Sequence, residues 1–380
     1  MATIAIIGAS YLQLPLILKC KELNHKTIGF AWEDGAVGKH HFDKFYPISI
    51  IEKEIILIKC IEENIDAVIS IASDVAVTTV SFISESMSLL GNSISSSILS
   101  SDKYLMRKRF LQAGIQSPKF YHATNFNKDD NEFQKLKFPL IIKPVDSSGS
   151  KGVSIIKILD EISEKNKKAK EASISGNTII EEFITGREVS VETISNNGSH
   201  FLLAITDKKT SGEPHFVELE HHQPSLLSLE VQSILYELTL QGLNALEIRY
   251  GAAHSEFIIT EDNQIYITEI GARMGGDFIG SHLVELSTGY DFLKGVIDVA
   301  LGSFTIPKTL NNKYSGVYFL SCKSEWVEKY IENSDNYPEI KYSDQNASIS
   351  SFLTRSSDRS GYLIYQCLNK RLKSKHEKLK

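Results

Sequence analysis

The sequence predicts an α/β fold, with a doubly wound domain at the N-terminus and a larger body of mixed strands and helices after it. Three observations carry this. Short apolar runs alternate with helix-patterned stretches through the first hundred residues, the rhythm of parallel βαβ units. Beyond Pro118 the strands lengthen, and residues 257–260 and 265–268 read as a hairpin turning through Glu261, Asp262 and Asn263. The chain has 380 residues, 42% hydrophobic and 23% charged, enough for two or three packed cores without structural metals or disulfides.

In chain order, residues 4–7 form a buried strand ending at Gly8, 12–23 a helix and 27–30 a second strand. Residues 50–64 form a helix, 67–71 a strand after Asp66, and 75–88 a further helix. The opening Ile6-Ile7-Gly8-Ala9-Ser10 has one glycine where a dinucleotide fingerprint needs three, so it reads as a strand-to-helix turn. The serine-rich stretch 91–101 is a boundary zone with a short helix. Asp102 is placed to cap a helix through Ala113, and Gly114 stops it. A helix with a solvated Lys/Glu face follows at 159–172. Strands and helices then mix at 178–184, 188–195, 200–206, 230–243, 252–260, 264–270 and 290–301. The boundaries fall after 100, 177 and 306, leaving 307–380 as a small strand-rich module with a basic, solvated tail.

A net charge of −6 argues against a nucleic-acid-binding protein, whose footprint is usually basic. Cys20, Cys60, Cys322 and Cys367 stand far apart and form no CxxC or Cys/His cluster. That fits neither a zinc site nor a disulfide framework, and reduced thiols point to a cytoplasmic protein. No run approaches the ~18 apolar residues of a membrane helix, and nothing before Ile4 has the pattern of a secretory leader.

Four stretches carry chemistry. The first runs from Phe138 through Lys143 to Ser147, Ser148, Gly149, Ser150 and Gly152. An apolar strand delivers a lysine to a small-residue loop, whose backbone N–H groups can approach a polyanion closely; it reads equally as a flexible surface hairpin. The second is Glu181-Glu182-Phe183-Ile184, followed by Gly186 and Glu188. An ionised glutamate at a turn can accept from both ribose hydroxyls, or simply end a strand in solvent. The third is the pair Glu256 and Glu269, at the two ends of the hairpin. Two carboxylates among apolar neighbours need a cation between them, and magnesium suits hard oxygen donors; a surface acid pair is the alternative. The fourth is Arg273 in Gly271-Ala272-Arg273-Met274-Gly275-Gly276-Asp277. It can meet a phosphoryl group or pair with Asp277.

In order and spacing, over about residues 100–302, these motifs resemble the ATP-grasp superfamily, with a layout similar to D-alanine–D-alanine ligase and biotin carboxylase. Residues 269–277 and 286–291, with 42–46 and 71–74 upstream, look most like its carboxylate–amine (L-amino acid) ligase branch, within the carbamoyl-phosphate-synthase-like enzymes. The resemblance implies a pre-ATP-grasp domain (1–100) and a small lobe with a phosphate lid (101–177). A large lobe with adenine, ribose and metal sites (178–306) and a C-terminal module (307–380) complete it. Lys103 and Lys143 would contact phosphates, Ser147 to Gly152 would form the lid, and Glu181 to Ile184 would hold adenine largely through backbone groups. Glu188 would hold ribose, Glu256 and Glu269 would bind Mg2+ or Mn2+, and Arg273 with Lys143 would be catalytic. One departure stands out: many relatives carry Asn as a metal ligand where this chain has Gly271. Glu220, His222, Arg249, Arg273 and Gly276 are the candidate substrate contacts, with His254 a further one.

The implied activity is ATP-dependent amide formation between a small-molecule carboxylate and an amine, amino acids foremost. It would proceed through an acyl phosphate and release ADP. The resemblance also implies a homodimer. A bicarbonate-activating enzyme and a non-catalytic ATP-binding protein are the alternatives; no nucleic acid and no membrane is expected as partner.

Overall fold

The computed structural model describes residues 1–149, 151–308 and 313–372; Ser150 of the lid stretch and the tail from residue 373 lie outside the described residues. Within these, three sheets organise the chain. The first is parallel: β1 (Thr3–Ile7), β2 (Lys26–Phe30), β3 (Lys44–Tyr46) and β4 (Ala67–Ile69), in the order β3-β2-β1-β4. Strand β1 is apolar and buried from Ile4 to Ile7 because both its faces are covered. Ile4 and Ile6 pack with Leu16, Ile17 and Cys20 of helix Leu14–Glu22. Ala5 and Ile7 pack with Ile56, Cys60, Ala76 and Ile83 of helices Lys53–Glu62 and Asp74–Ser86. The sequence reading does not anticipate β3, a three-residue edge strand. Strand order reverses between β1 and β4, so the loops after them, 8–12 and 70–73, open the crevice where such folds bind ligands.

Helix Ile94–Ser101 leads into helix Lys103–Gln112, whose N-cap Asp102 accepts from the Leu105 N–H at 2.9 Å. Gly114 then turns the chain at φ +69°. The second sheet is antiparallel: β5 (Phe120–His122), β6 (Leu140–Pro144), β7 (Ser154–Ile156) and β8 (Thr178–Glu182), in the order β5-β8-β6-β7. Helix Ile162–Ala172 covers it through Ile162 and Ala169. Strand β8 pairs on both edges here, so the stretch from 178, assigned to the large lobe from sequence, belongs to the small-lobe sheet.

The third sheet holds β9 (Arg187–Asn196), β10 (Ser199–Thr210), β11 (Glu218–Gln223), β12 (Gly251–Ile259), β13 (Ile265–Gly271), β14 (Tyr314–Leu320), β15 (Ile340–Gln345) and β16 (Gly361–Cys367). Their order is β13-β12-β9-β10-β11-β14-β16-β15. Pairing of β11 with β14 carries the sheet straight into residues 314–367. The C-terminal strands therefore extend the large sheet rather than forming a separate one. Period-two alternation divides its faces. Val189 and Val191 pack under helix Leu229–Ala245 with Leu235 and Leu243, while Ile194 and Ala252 on the other face meet helix Phe292–Ala300.

Candidate active site

Along that second face, past the apolar patch, the side chains turn polar. Strand β9 presents Glu188, Ser190 and Glu192. On β12 come His254 and Glu256, and on β13 Glu269 and Gly271. Register aligns them in two rows: Glu192, His254 and Gly271, then Ser190, Glu256 and Glu269. Directly opposed residues on adjacent strands share a face, so the two hairpin acids stand side by side. A cleft of 510 Å³ lies over these rows, lined also by Lys103, Lys143, Ser147, Ser148, Gly149, Glu181, Glu182, Phe183, Ile184, Lys208, Glu218, His221, Arg273 and Gly276.

Each cation along the floor of the cleft has a carboxylate partner. Lys103 Nζ lies 3.1 Å from Glu269 Oε1 and donates to Ser147 O at 3.0 Å, which ties the loop after β6 to the β12–β13 hairpin. Lys143 Nζ lies 2.7 Å from Glu181 Oε2, whose other oxygen is 2.7 Å from Arg107 Nε. Lys208 Nζ bridges Glu218 at 2.9 Å and Glu256 at 2.7 Å. Arg273 holds Asp74 bidentately at 2.8 and 3.0 Å. Burial draws the Lys143 ammonium down, with Arg107 and Lys103 nearby, and Glu181 does not fully offset this. Burial opposes Lys208 too, but Glu218, Glu256 and Glu188 outweigh it and hold its proton tightly.

Glu188 has the opposite balance. Burial, and then Glu218 and Glu256 close by, push its carboxyl up to about 7 against the pull of Lys208. The folded chain thus binds this proton more tightly than the unfolded chain does. Stability from this group is present at low pH and falls as pH rises from about 4.5 towards about 7. In Glu188→Gln the drop in unfolding free energy between pH 5 and pH 8 should shrink by about 2 kcal/mol, read from urea titrations at both pH values. An unchanged drop would place the Glu188 carboxyl in its ordinary range.

Several expected positions lie elsewhere. A register shift between Lys209 and Thr210 sends Glu218 and His221 to the cleft and turns Glu220 and His222 to the opposite face. There His222 meets Glu220 at 2.8 Å and the Tyr365 hydroxyl at 2.9 Å. These two are therefore not cleft residues. Nor is Arg249, which donates to Asn197 at 2.9 Å beside a wider groove of 1080 Å³. That groove's charged lining is only Glu85, Glu247 and Arg249, without the lysine–carboxylate array of the cleft. Gly152 packs its Cα side against Ala172 and Pro144 rather than lining the cleft. Asp277 pairs not with Arg273 but with Arg359, bidentately at 2.8 Å. Sequence reading gave no role to Arg107, Glu192 or Arg359, and placed Lys208, Glu218 and His221 only within stretches expected to border the substrate pocket.

Gly271 has a direct cause. A Cβ there would sit 2.9 Å from Asp74 Oδ1 and 3.2 Å from Arg273 Nε, so the Asp74–Arg273 pair fills the space a side chain would need. For a divalent cation, the donor set on offer is the adjacent Glu256 and Glu269, hard oxygen ligands of the kind that share magnesium with substrate phosphates. Burial works against the Glu256 carboxylate, but Lys208 and His254 keep it ionised well below its usual range, as a metal ligand must be. The residues fit such an ion. Neighbouring lysines and glycine-bearing loop suit a polyphosphate.

Comparison with known proteins agrees with this layout. Residues 136–281 match the ATP-grasp domain family. A D-alanine–D-alanine ligase of Geobacillus thermodenitrificans (strain NG80-2) is 27% identical over 200 residues, 49% of this chain and 54% of that protein. An alanine–anticapsin ligase of Bacillus subtilis is 26% identical over 214 residues, 50% of this chain and 45% of that one. The matched stretch thus spans about half the length of these relatives. Among solved structures, an L-amino acid ligase from Bacillus licheniformis superposes with TM-score 0.79 at 21% identity, covering 97% of this chain and 94% of that chain. An N5-carboxyaminoimidazole synthetase from Staphylococcus aureus complexed with ADP gives TM-score 0.78 at 15% identity, with 97% and 94% covered. Residues 136–281 thus match the ATP-grasp domain family, and the chain shares the fold of these solved structures along nearly its whole length.

Proposed function

We propose that the chain is an ATP-dependent ligase that phosphorylates a carboxylate and joins it to an amine, forming an amide with release of ADP and phosphate. The observation that carries this is the array of ion pairs. Lys103, Lys143 and Lys208 converge on one cleft, each beside a carboxylate, and two of those carboxylates are the adjacent Glu256 and Glu269. Phosphates can take over the lysines while a cation takes over the freed acids, so no charge is left unpaired in the buried site.

In this reading Lys103 and Lys143 bind phosphate oxygens, and Ser147, Ser148 and Gly149 lie over them. Adenine sits against residues 181–184 beside Phe183 and Phe216, whose ring centroids are 5.8 Å apart. The N–H groups of Glu182 and Phe183 already donate to Lys119 O and Pro139 O, so the base is read by other backbone groups of this stretch. Glu188 accepts from ribose. Magnesium, when bound at Glu256 and Glu269, supplies neutralisation of phosphate charge. Arg273 leaves Asp74 to meet the transferring phosphoryl group, and Gly276 lets the carboxylate substrate approach. Positioning and charge stabilisation do most of the chemical work, and lid closure keeps water from the acyl phosphate. Relatives named for joining amino acids support amino acids as both substrates.

The test is ADP release with ATP and magnesium across amino acids, singly and in pairs, with bicarbonate as a separate condition. Release that needs two amino acids is expected, with a dipeptide as product. Release that needs bicarbonate and no amine would overturn amide formation.

A further inference from the structure

Behind Glu256 lies a set of side chains that no step above uses. Glu192 is fully buried, at 0% exposure, and His254 is nearly so. They face each other as register partners on β9 and β12, with His254 Nδ1 against Glu192 Oε1. The other ring nitrogen, Nε2, lies 3.1 Å from Glu256 Oε1. The far oxygen of Glu192 accepts from the Gly275 N–H at 3.0 Å. The line Gly275 N–H, Glu192, His254, Glu256 is thus continuous, and it ends on a carboxylate that opens to the cleft. Gly275 is held close: a Cβ there would come within 2.6 Å of Glu192 Oε1 and 2.8 Å of His254 Nδ1.

We propose that Glu192 and His254 are positioning residues that orient the Glu256 carboxylate for a divalent cation and anchor it to the loop bearing Arg273. A fully buried glutamate is costly unless every polar contact is made, and here its contacts lead only to the Gly275 backbone and to Glu256 by way of His254. Glu256 has a second partner, Lys208 at 2.7 Å. In the proposed reaction Lys208 turns to phosphate, and the imidazole is then the contact that keeps Glu256 from swinging. Two adjacent strands fix both relay residues, so the support is rigid. Outer partners of this kind typically govern metal affinity by about 10–100-fold. The proposal rests on the reading of Glu256 as a cation ligand.

The experiment measures Mn2+ affinity, by electron paramagnetic resonance, in the full chain with a non-hydrolysable ATP analogue. Glu192→Gln, His254→Gln and Gly275→Ala are compared with the parent and with Glu256→Gln. Each relay variant is expected to weaken Mn2+ binding 10–100-fold, while binding of the analogue without metal changes less than about threefold. Gly275→Ala retains all three side chains and displaces Glu192 and His254 through its Cβ, so it keeps the test open where a change at buried Glu192 unfolds the chain. Parental Mn2+ affinity in a folded relay variant, with loss in Glu256→Gln, overturns the relay alone. Parental Mn2+ affinity in Glu256→Gln, or none in the parent, overturns the ligand reading and the relay with it.

Discussion

Glu269→Gln is expected to lower ATP-dependent ADP release by about 10³-fold or more at saturating ATP and magnesium, an effect of roughly 4 kcal/mol. The amide keeps the shape of the side chain and loses its charge, and that charge has two partners. In the free protein it sits 3.1 Å from Lys103, which is 7% exposed. Burial opposes the Lys103 ammonium, and Glu269 with Asp74 outweighs it to keep the proton bound. In the proposed reaction the same carboxylate holds magnesium against the phosphates. Glutamine weakens the cation site and lets buried Lys103 lose its proton more readily, so phosphate and metal binding fall together. The fold should survive, because the Lys103 ammonium keeps Ser147 O at 3.0 Å. Activity is read from ADP release and folding from circular dichroism. A well-folded variant within tenfold of the parent would remove Glu269 from the cation site.

The largest effect on stability is expected at Arg107. Its side chain is wholly buried, four residues after Lys103 and so on the same face of helix Lys103–Gln112. One end reaches Glu181 on β8, with Nε 2.7 Å from Oε1, close enough for an ion pair though off the hydrogen-bond line. The other end donates to Thr268 O on β13. Arg107 therefore joins the second sheet to the β12–β13 hairpin through one guanidinium. Arg107→Met fills the volume and leaves Glu181 buried with Lys143 alone. Removing one member of a buried ionic cluster costs about 3–5 kcal/mol, and the remaining Lys143 contact places this case near 3 kcal/mol. Urea unfolding measures it directly. ATP affinity should fall as well, because Lys143 becomes the sole counter-ion of Glu181 and is less free to meet phosphate. A loss below about 1 kcal/mol would mean that Glu181 is protonated or solvated once Arg107 is gone.

What the sequence made legible divides along physical lines. The doubly wound domain could be read because β1 is apolar from Ile4 to Ile7 and its helices show their own periodicity. The hairpin showed in the alternation on either side of Glu261-Asp262-Asn263, and Lys143, Glu181 and Glu269 stood out as charges inside apolar strands. Glu192 was within reach of the same logic: at period two from Glu188 it had to share that residue's face, and His254 and Glu256 are likewise two apart on β12. Glu220 and His222 were misplaced because a bulge shifts every later side chain to the other face, and no local residue pattern announced it. Nothing in the sequence set Arg107 apart from the other basic residues of helix Lys103–Gln112. Arg359 and Asp74 could not be read at all, since each gains its partner from a distant segment: Asp277 lies 82 positions before Arg359, and Arg273 lies 199 after Asp74.

The space beside Gly271 links two positions that are remote along the chain. A side chain enters at 271 only if the one at 74 withdraws, and withdrawal of Asp74 leaves Arg273 without its carboxylate. Installing an asparagine ligand beside Glu269 is therefore not a single substitution in this protein. It displaces the Asp74 carboxylate in the same step, which disturbs its pairing with Arg273 and loosens the contact between the first domain and the Arg273 loop. Only the Ala72 N–H to Met274 O bond, 3.2 Å long, then spans that seam among the contacts described for these two loops. The proposed cation site and the hold of the N-terminal domain on the cleft are thus coupled through one pair of side chains.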